Sequence, residues 1–126
     1  MGRIITNPTV LQGAGEGHKT IAEFVGRLAT QSADVSIALM ESAPGWREPG
    51  QRPDFDEYTL VLAGEVVVEH ETGGSVTVAA QQAFHAPAGE WVRYSTPGAQ
   101  GARYLSVCVP AFSPDTVNRD GEGDTA

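Results

Sequence analysis

The sequence has 126 residues, 16 of them acidic and 8 basic, which gives a formal net charge of −8. This length allows one domain, and the acidic balance argues against binding to nucleic acid or to an anionic membrane. The single cysteine, Cys108, excludes an internal disulfide. We expect no signal peptide at the start of this sequence and no spanning helix, since no apolar run approaches the roughly 20 residues that such a helix needs. We therefore expect a cytoplasmic protein.

The first third of the chain predicts an irregular start followed by two strands. Residues 1–19 contain scattered Gly, Asn and Pro and predict an irregular lead-in. Residues 23–28 alternate weakly and favour a strand, although residues 20–28 also allow a helix. Residues 35–40 alternate clearly between larger apolar and smaller side chains, which predicts a half-buried strand. Pro and Gly then interrupt residues 44–50, which predicts a loop.

The rest of the chain predicts a series of short strands joined by turns. The predicted strands cover residues 58–62, 65–71, 76–79, 83–86, 91–95 and 103–109. Gly64 is predicted to end one strand, and the Thr-Gly-Gly sequence at 72–74 predicts a hairpin turn. Strands at this spacing, without a long helix, indicate an all-β sandwich or barrel. Residues 20–120 are expected to form the domain, with residues 111–120 packed over one edge and 121–126 disordered.

The acidic cluster in Gly45–Gly64 is the first candidate for a functional site. Asp54, Asp56 and Glu57 place three carboxyl groups within four residues, beside Arg52 and just before an apolar run. Carboxylates crowded at the start of a buried strand are costly to desolvate and raise each other's pKa. Such a cluster is therefore expected at a rim or in a cleft.

The spacing of this segment resembles the first motif of the cupin superfamily. The residues at the motif positions are Gly45, Gln51, Pro53, Glu57 and Gly64, and a second motif is approximated by Gln81, Pro87, Gly89 and Val92. The strings GWREPGQ, FDEYTLVLAG, AGEWVRYSTPG and VCVPAFSPD are similar to small single-domain cupins of the ethanolamine-utilisation type. The resemblance implies a jelly-roll barrel that commonly forms a homodimer through its outer sheet.

The resemblance also shows which metal ligands this chain lacks. In metal-binding cupins the two motifs supply three His and one Glu. Here Gln51, Pro53 and Val92 occupy the His positions and only Glu57 remains. Because first-row metals in such sites require imidazole or several carboxylates, we expect no metal and no cofactor. One alternative stays open, namely a relocated ligand set of Glu57 with Glu48, Asp54 and His85.

Three residues are candidates for catalysis. Glu57 shares a strand face with Gln51, Phe55 and Thr59 and is expected in the barrel interior, where burial favours a general acid or base. His85 has the parity for an inward ring that could exchange protons with Glu57. Tyr104 alternates with apolar neighbours on the last strand and could stabilise an oxyanion. Cys108, on the same face, is expected to fill space in the core.

Five residues are candidates for substrate binding. Trp46 and Glu48 lie in the loop predicted to fold over the barrel mouth, where Trp46 is either a lid over a ligand or a plug that anchors the loop. Gln51 and Glu48 would present polar groups to the ligand. Arg93 or Tyr94 faces the cavity, depending on a register that the turn at residues 87–90 leaves open.

Together these residues predict a metal-independent acid–base enzyme. The expected reaction is an isomerisation, cyclisation or elimination of a small oxygen-rich organic molecule bound in the barrel cavity. Two alternatives remain at this stage. One is a non-catalytic binding or sensing module, and the other is a metal-dependent cupin with relocated ligands. A homodimer is expected because Val66–Val68 places three β-branched residues in succession, one face of which requires cover.

Overall fold

A computed structural model describes residues 2–121 of the chain. These residues form nine strands and the turns and loops between them. The strands are β1 Thr9–Gln12, β2 Lys19–Val25, β3 Ser36–Ser42, β4 Trp46–Arg47, β5 Asp56–His70, β6 Ser75–Ala79, β7 Ala83–Ala86, β8 Val92–Thr96 and β9 Ala102–Val109. Nothing in the described part of the chain forms a helix that could span a bilayer.

The long strand β5 joins two antiparallel halves of one curved sheet. The first sheet has the order β1-β2-β3-β9-β5-β7, and the second has the order β6-β5-β8-β4. The amino-terminal part of β5 pairs with β9 and β7, and its carboxyl-terminal part pairs with β6 and β8. The result is the jelly-roll barrel that the sequence predicted.

The main core lies between the two sheets. Alternation along the strands turns one face inward, so that Trp46, Val61, Val66, Val68 and Val92 each expose 1% of their surface or less. Each such aliphatic side chain contributes roughly 1.5–3 kcal/mol on burial. A smaller cluster contains Phe55, Cys108 and Val117, with Phe112 packed against it.

Several predicted boundaries were wrong. The lead-in predicted as irregular for residues 1–19 contains β1 and the first residue of β2, and residues 19–25 form a strand that excludes the helix considered for residues 20–28. Gly64 does not end a strand. It lies inside β5 with φ of +72°, next to a bulge at Val61/Ala63, where the strand passes from one sheet to the other. The disordered tail predicted for 121–126 lies outside the described residues except for Gly121.

The exposed apolar face is on the first sheet. Val66 and Val68, two of the three successive residues on which the expectation of a dimer rested, are fully buried in the core, and Val67 between them is half-buried. The outward face of β5 instead presents Tyr58, Leu60 and Leu62 at about 40% exposure. Leu60 pairs with Leu105 of β9 and Ala83 of β7, so apolar side chains continue across three strands.

Candidate functional site

A cavity of about 180 Å³ enters the barrel from the end formed by β1, the β2–β3 turn and the carboxyl-terminal segment. Its walls are mostly apolar, with a small set of polar groups among them. Another protein's cavity of about 150 Å³ binds benzene, so this space accepts a molecule with one small ring. The polar side chains that matter most for chemistry are Lys19, Glu48, Gln51, Glu57, Tyr94, Tyr104, Ser106 and Arg119.

Lys19 brings a buried ammonium group into the cavity. It is the only lysine of the sequence and exposes 7% of its surface. Its Nζ lies 4.2 Å from the ring centroid of Trp46 and 5.5 Å from that of Tyr104, which stabilises the cation against two aromatic faces. Burial opposes the charge, but Tyr104 and Glu48 outweigh it, so the pKa of Lys19 is raised above 10.5. The group is therefore cationic at neutral pH.

Glu48 is a buried carboxyl group that titrates near neutral pH. It follows β4 and exposes 7% of its surface. Burial, the largest influence, and the negative charge of Glu57 raise its pKa, while Lys19 and Arg119 lower it, and the result is a pKa of about 7. Both protonation states are therefore populated at neutral pH, which is the property required of a general acid–base group.

Glu57 lies on β5 and points into the same cavity, as strand parity predicted. Its Oε2 accepts a hydrogen bond from Ser106 Oγ at 2.5 Å, which fixes the carboxylate against β9. Its other oxygen, Oε1, is buried and has no hydrogen-bond partner among residues 2–121. A buried acceptor without a partner is costly, so this oxygen marks a position where a ligand's donor would be stabilised.

Tyr94 faces the cavity and Arg93 does not, which settles the register of β8. Tyr94 exposes 5% of its surface, and its hydroxyl is buried without a hydrogen-bond partner in the described chain. Burial and the nearby carboxylates Glu57 and Glu48 raise the pKa of Tyr94 well above 10, so it stays protonated. Arg93 points outward and binds Glu69 through two hydrogen bonds of 2.6 and 2.8 Å. Its predicted role in substrate binding is therefore contradicted by its position.

Tyr104 and Gln51 also line the cavity, as predicted. The Tyr104 hydroxyl lies 2.9 Å from Ser42 Oγ, so it already has a partner. Gln51 exposes 5% of its surface, and its backbone N–H and C=O both pair with Val92. Burial raises the pKa of the Cys108 thiol, which stays protonated. Cys108 lies with Phe55 in the smaller core cluster, in agreement with the predicted role of filling space.

His85 and Trp46 do not contribute to the cavity lining. His85 lies on the outer face of β7, where its ring stacks on Tyr58 at 4.4 Å and its Nε2 is 4.0 Å from Asp56 Oδ1. The expected proton exchange with Glu57 is excluded by this orientation. Trp46 is a core residue whose Nε1 donates to the Ala14 carbonyl at 2.9 Å, so it anchors the chain and is no lid.

The carboxyl-terminal segment contributes to the site, contrary to its predicted structural role. Phe112, Pro114 and Arg119 line the cavity, and the Arg119 guanidinium lies 5.7 Å from the Phe112 ring centroid. Sequence reasoning missed Lys19 and Arg119. The feature of the sequence that could have indicated Lys19 is that it is the only lysine of an acidic chain. Arg119 lies in a segment without periodicity, so no sequence feature indicated its role.

The donor groups in this cavity do not suit the metal centre that the resemblance implies. The three His positions hold Gln51, Pro53 and Val92, and none of the described residues that line the cavity is a histidine. The relocated set is not assembled either, because Asp54 is exposed and accepts a hydrogen bond from Asn118, and His85 faces outward. Within residues 2–121, no group of three or more His, Cys, Asp or Glu is placed to hold a metal ion.

The chain is similar to known proteins at several levels. The Cupin domain family model matches residues 38–108, more than half of the chain. A curated relative, Endoribonuclease YbeY of Myxococcus xanthus (strain DK1622), is 40% identical over 102 residues, which are 81% of this chain and 34% of that protein. The chain therefore spans about a third of the length of the curated relative that it matches.

Two solved structures share the fold at low sequence identity. The polyketide cyclase RemF of Streptomyces resistomycificus is 20% identical with a TM-score of 0.75, covering 94% of this chain and 84% of that one. The EutQ protein of Clostridium difficile is 18% identical with a TM-score of 0.62, covering 76% of this chain and 65% of that one. The match of the family model shows that the chain belongs to the cupin family, and the two solved structures share its fold.

Proposed function

We propose that this cupin transfers protons on a small oxygen-containing organic molecule without a metal ion. The observation that carries the proposal is the placement of Glu48, whose pKa is about 7, in one enclosed cavity with the cation of Lys19. A carboxyl group whose pKa is near 7 can accept the proton that enolisation removes, and a fixed positive charge can stabilise the enolate oxygen. Isomerases, cyclases and lyases of carbonyl compounds all use this step.

In the proposed mechanism, the Glu48 carboxylate removes a proton from the carbon next to a carbonyl group. The electron pair of the broken C–H bond moves to the carbonyl oxygen, and the ammonium of Lys19 stabilises the resulting enolate. Glu48 then returns the proton to a carbon or oxygen atom of the intermediate. This assigns to Glu48 the role that the sequence suggested for Glu57, because Glu57 is fixed by Ser106 and is better placed to orient the ligand.

The structural neighbour RemF supports a reaction of this class, because a cyclase of polyketides acts on carbonyl compounds. RNA cleavage, which the name of the Myxococcus xanthus relative describes, is disfavoured for this chain. A net charge of −8 repels a phosphate backbone, and a cavity of about 180 Å³ accepts a single small ring.

The test is deuterium exchange on 2-hydroxycyclohexanone in D2O, followed by proton NMR. We expect the wild-type protein to accelerate loss of the α-proton signal above the buffer rate. Glu48→Gln should reduce the protein-dependent exchange rate at least tenfold, because an amide cannot accept the proton. The matched control is Glu65→Gln on the outer surface, which should exchange like the wild type.

The same experiment distinguishes an enzyme from a binding module. If the compound binds but exchanges no faster than in buffer, the chain is a binding or sensing cupin and the catalytic proposal is wrong. Binding is followed separately through the methyl resonance of Met40, which lines the cavity.

We also propose that the apolar outer face of the first sheet packs against a second copy of this chain. A twofold axis near Leu60 would bring the apolar row Leu105–Leu60–Ala83 against itself, and exposed apolar faces of this kind are commonly covered by a partner. We expect a dimer in sedimentation velocity and a monomer for Leu60→Lys. Val76→Lys is the control, because Val76 is equally exposed at 40% on the other sheet. A monomeric wild type at micromolar concentration would contradict the proposal.

A further inference from the structure

Two buried polar groups in the cavity lack partners, and they differ in what they can accept or donate. Glu57 Oε1 can only accept a hydrogen bond while the carboxylate is charged, and Tyr94 can donate one. The rest of each side chain is held in place, because Ser106 donates a hydrogen bond to Glu57 Oε2 and the Tyr94 ring is packed in the core. The Tyr94 hydroxyl lies beside Glu57 and Thr59, and both side chains act on its pKa, although no hydrogen bond of normal geometry joins them to it.

One ligand group satisfies both of these side chains. A hydroxyl group carries one donor and two acceptor lone pairs, so its O–H can donate to Glu57 Oε1 while its oxygen accepts from the Tyr94 hydroxyl. A carboxylate would bring a second negative charge next to Glu57, and an ether or alkyl group would leave Glu57 Oε1 without a partner.

The surrounding walls define the rest of the ligand. Toward the mouth the cavity is lined by the apolar side chains of Leu11, Ile21, Leu28 and Phe112 together with the charged side chains of Glu23, Arg27 and Arg119, and its volume suits one small ring. An uncharged ring in this part would be stabilised by removing apolar surface from water. The polar end of the ligand would then lie at the inner end, next to Glu57 and Tyr94.

We infer that the ligand of this cavity is a neutral, ring-sized molecule with a hydroxyl group that donates to Glu57 Oε1 and accepts from Tyr94. This inference rests on the proposed function, because the hydroxyl group belongs to the same ligand whose carbonyl oxygen is assigned to Lys19. It adds the chemical class of the substrate and the two residues that select it.

The experiment compares phenol with anisole, its methyl ether, and with benzoate. The sequence contains two methionines, and Met40 lines the cavity, so protein labelled with [methyl-13C]methionine gives a direct binding signal. We expect phenol to bind at least tenfold more tightly than anisole or benzoate, because a site built to bind a hydroxyl group rejects analogues that lack one.

Two variants identify the groups responsible. Tyr94→Phe should reduce the preference for phenol over anisole to within about threefold, since it removes one of the two hydrogen bonds and keeps the ring. Tyr58→Phe is the matched control, because Tyr58 lies on the outer face of β5 at 43% exposure and its hydroxyl is remote from the cavity lining. Both variants retain the aromatic ring, so folding is checked by the unchanged Met40 resonance of the free protein.

Three outcomes would overturn the inference. These are equal binding of phenol and anisole, tighter binding of benzoate, and no shift of the Met40 resonance with any of the three compounds. The result is separable from the proposed function: selective phenol binding without deuterium exchange would reject the catalytic proposal alone. Exchange without any preference for phenol would reject the inference alone.

Discussion

Replacing Lys19 by Met should destabilise the protein by about 1 kcal/mol more at about pH 8 than at about pH 5. At the higher pH Glu48 is ionised in the wild type, whereas the variant lacks the cation that lowers the pKa of Glu48 and must bind a proton there or bury an unpaired carboxylate. At the lower pH Glu48 is protonated, and a Met side chain of similar length occupies the space over Trp46. Urea unfolding of both proteins at the two pH values gives this difference.

The control for this prediction is the double variant Lys19→Met/Glu48→Gln. Because it removes both charges, it should be similarly stable at the two pH values. An equal loss of stability at both pH values for Lys19→Met alone would mean that Lys19 contributes packing and no electrostatic pairing with Glu48.

The second large effect concerns Glu48 itself. The free energy of unfolding of the wild type should fall by roughly 2–3 kcal/mol between about pH 5 and pH 8 through this group, and Glu48→Gln should remove that fall. The folded-state pKa of about 7 lies above the ordinary value of 4.5, so the folded protein binds this proton more tightly than the unfolded chain. The stability from this group is therefore complete below about pH 4.5 and is lost as the pH rises through 7.

The lower limit of the pH range follows from two other carboxyl groups. A hydrogen bond from Arg93 lowers the pKa of Glu69. Hydrogen bonds from the backbone N–H of Trp91 and, to a smaller extent, from Arg52 lower the pKa of Glu71. Their contributions are lost as the pH falls below about 4.5 and have the opposite sign to that of Glu48. Measurements from pH 5 upward therefore isolate Glu48. A pH-independent difference between wild type and Glu48→Gln would contradict the prediction.

The barrel and half of the site could be predicted because they depend on local patterns. Alternation with a period of two placed Glu57, Tyr104 and Cys108 on an inward face, and the turn-rich spacing indicated an all-β fold. The direction of Arg93 and Tyr94 could not be predicted, because it depends on the pairing of β8 with β5. That pairing sets Tyr94 opposite Val68, a core residue.

The remainder of the site depends on contacts between distant segments. The ammonium of Lys19 is buried because Trp46, Tyr104 and Glu48, far away in sequence, surround it. No local pattern in residues 1–19 predicts that Lys19 is buried in this way. Gly64 was misread for a related reason: a glycine in a strand pattern resembles a terminus, whereas here it provides the positive φ at which β5 changes sheets. A Cβ there would collide with the carbonyl oxygen of Gly101.

The most direct test of this account is a carbon-13 NMR titration of the Glu48 carboxyl carbon, assigned by its absence in Glu48→Gln. Proton transfer without a metal requires a buried carboxyl group that is available in both protonation states near neutral pH. The structure predicts a titration midpoint near pH 7 for this carbon. A midpoint near the ordinary carboxyl value of 4.5 would show that Glu48 is fully ionised at neutral pH and would contradict the proposed mechanism.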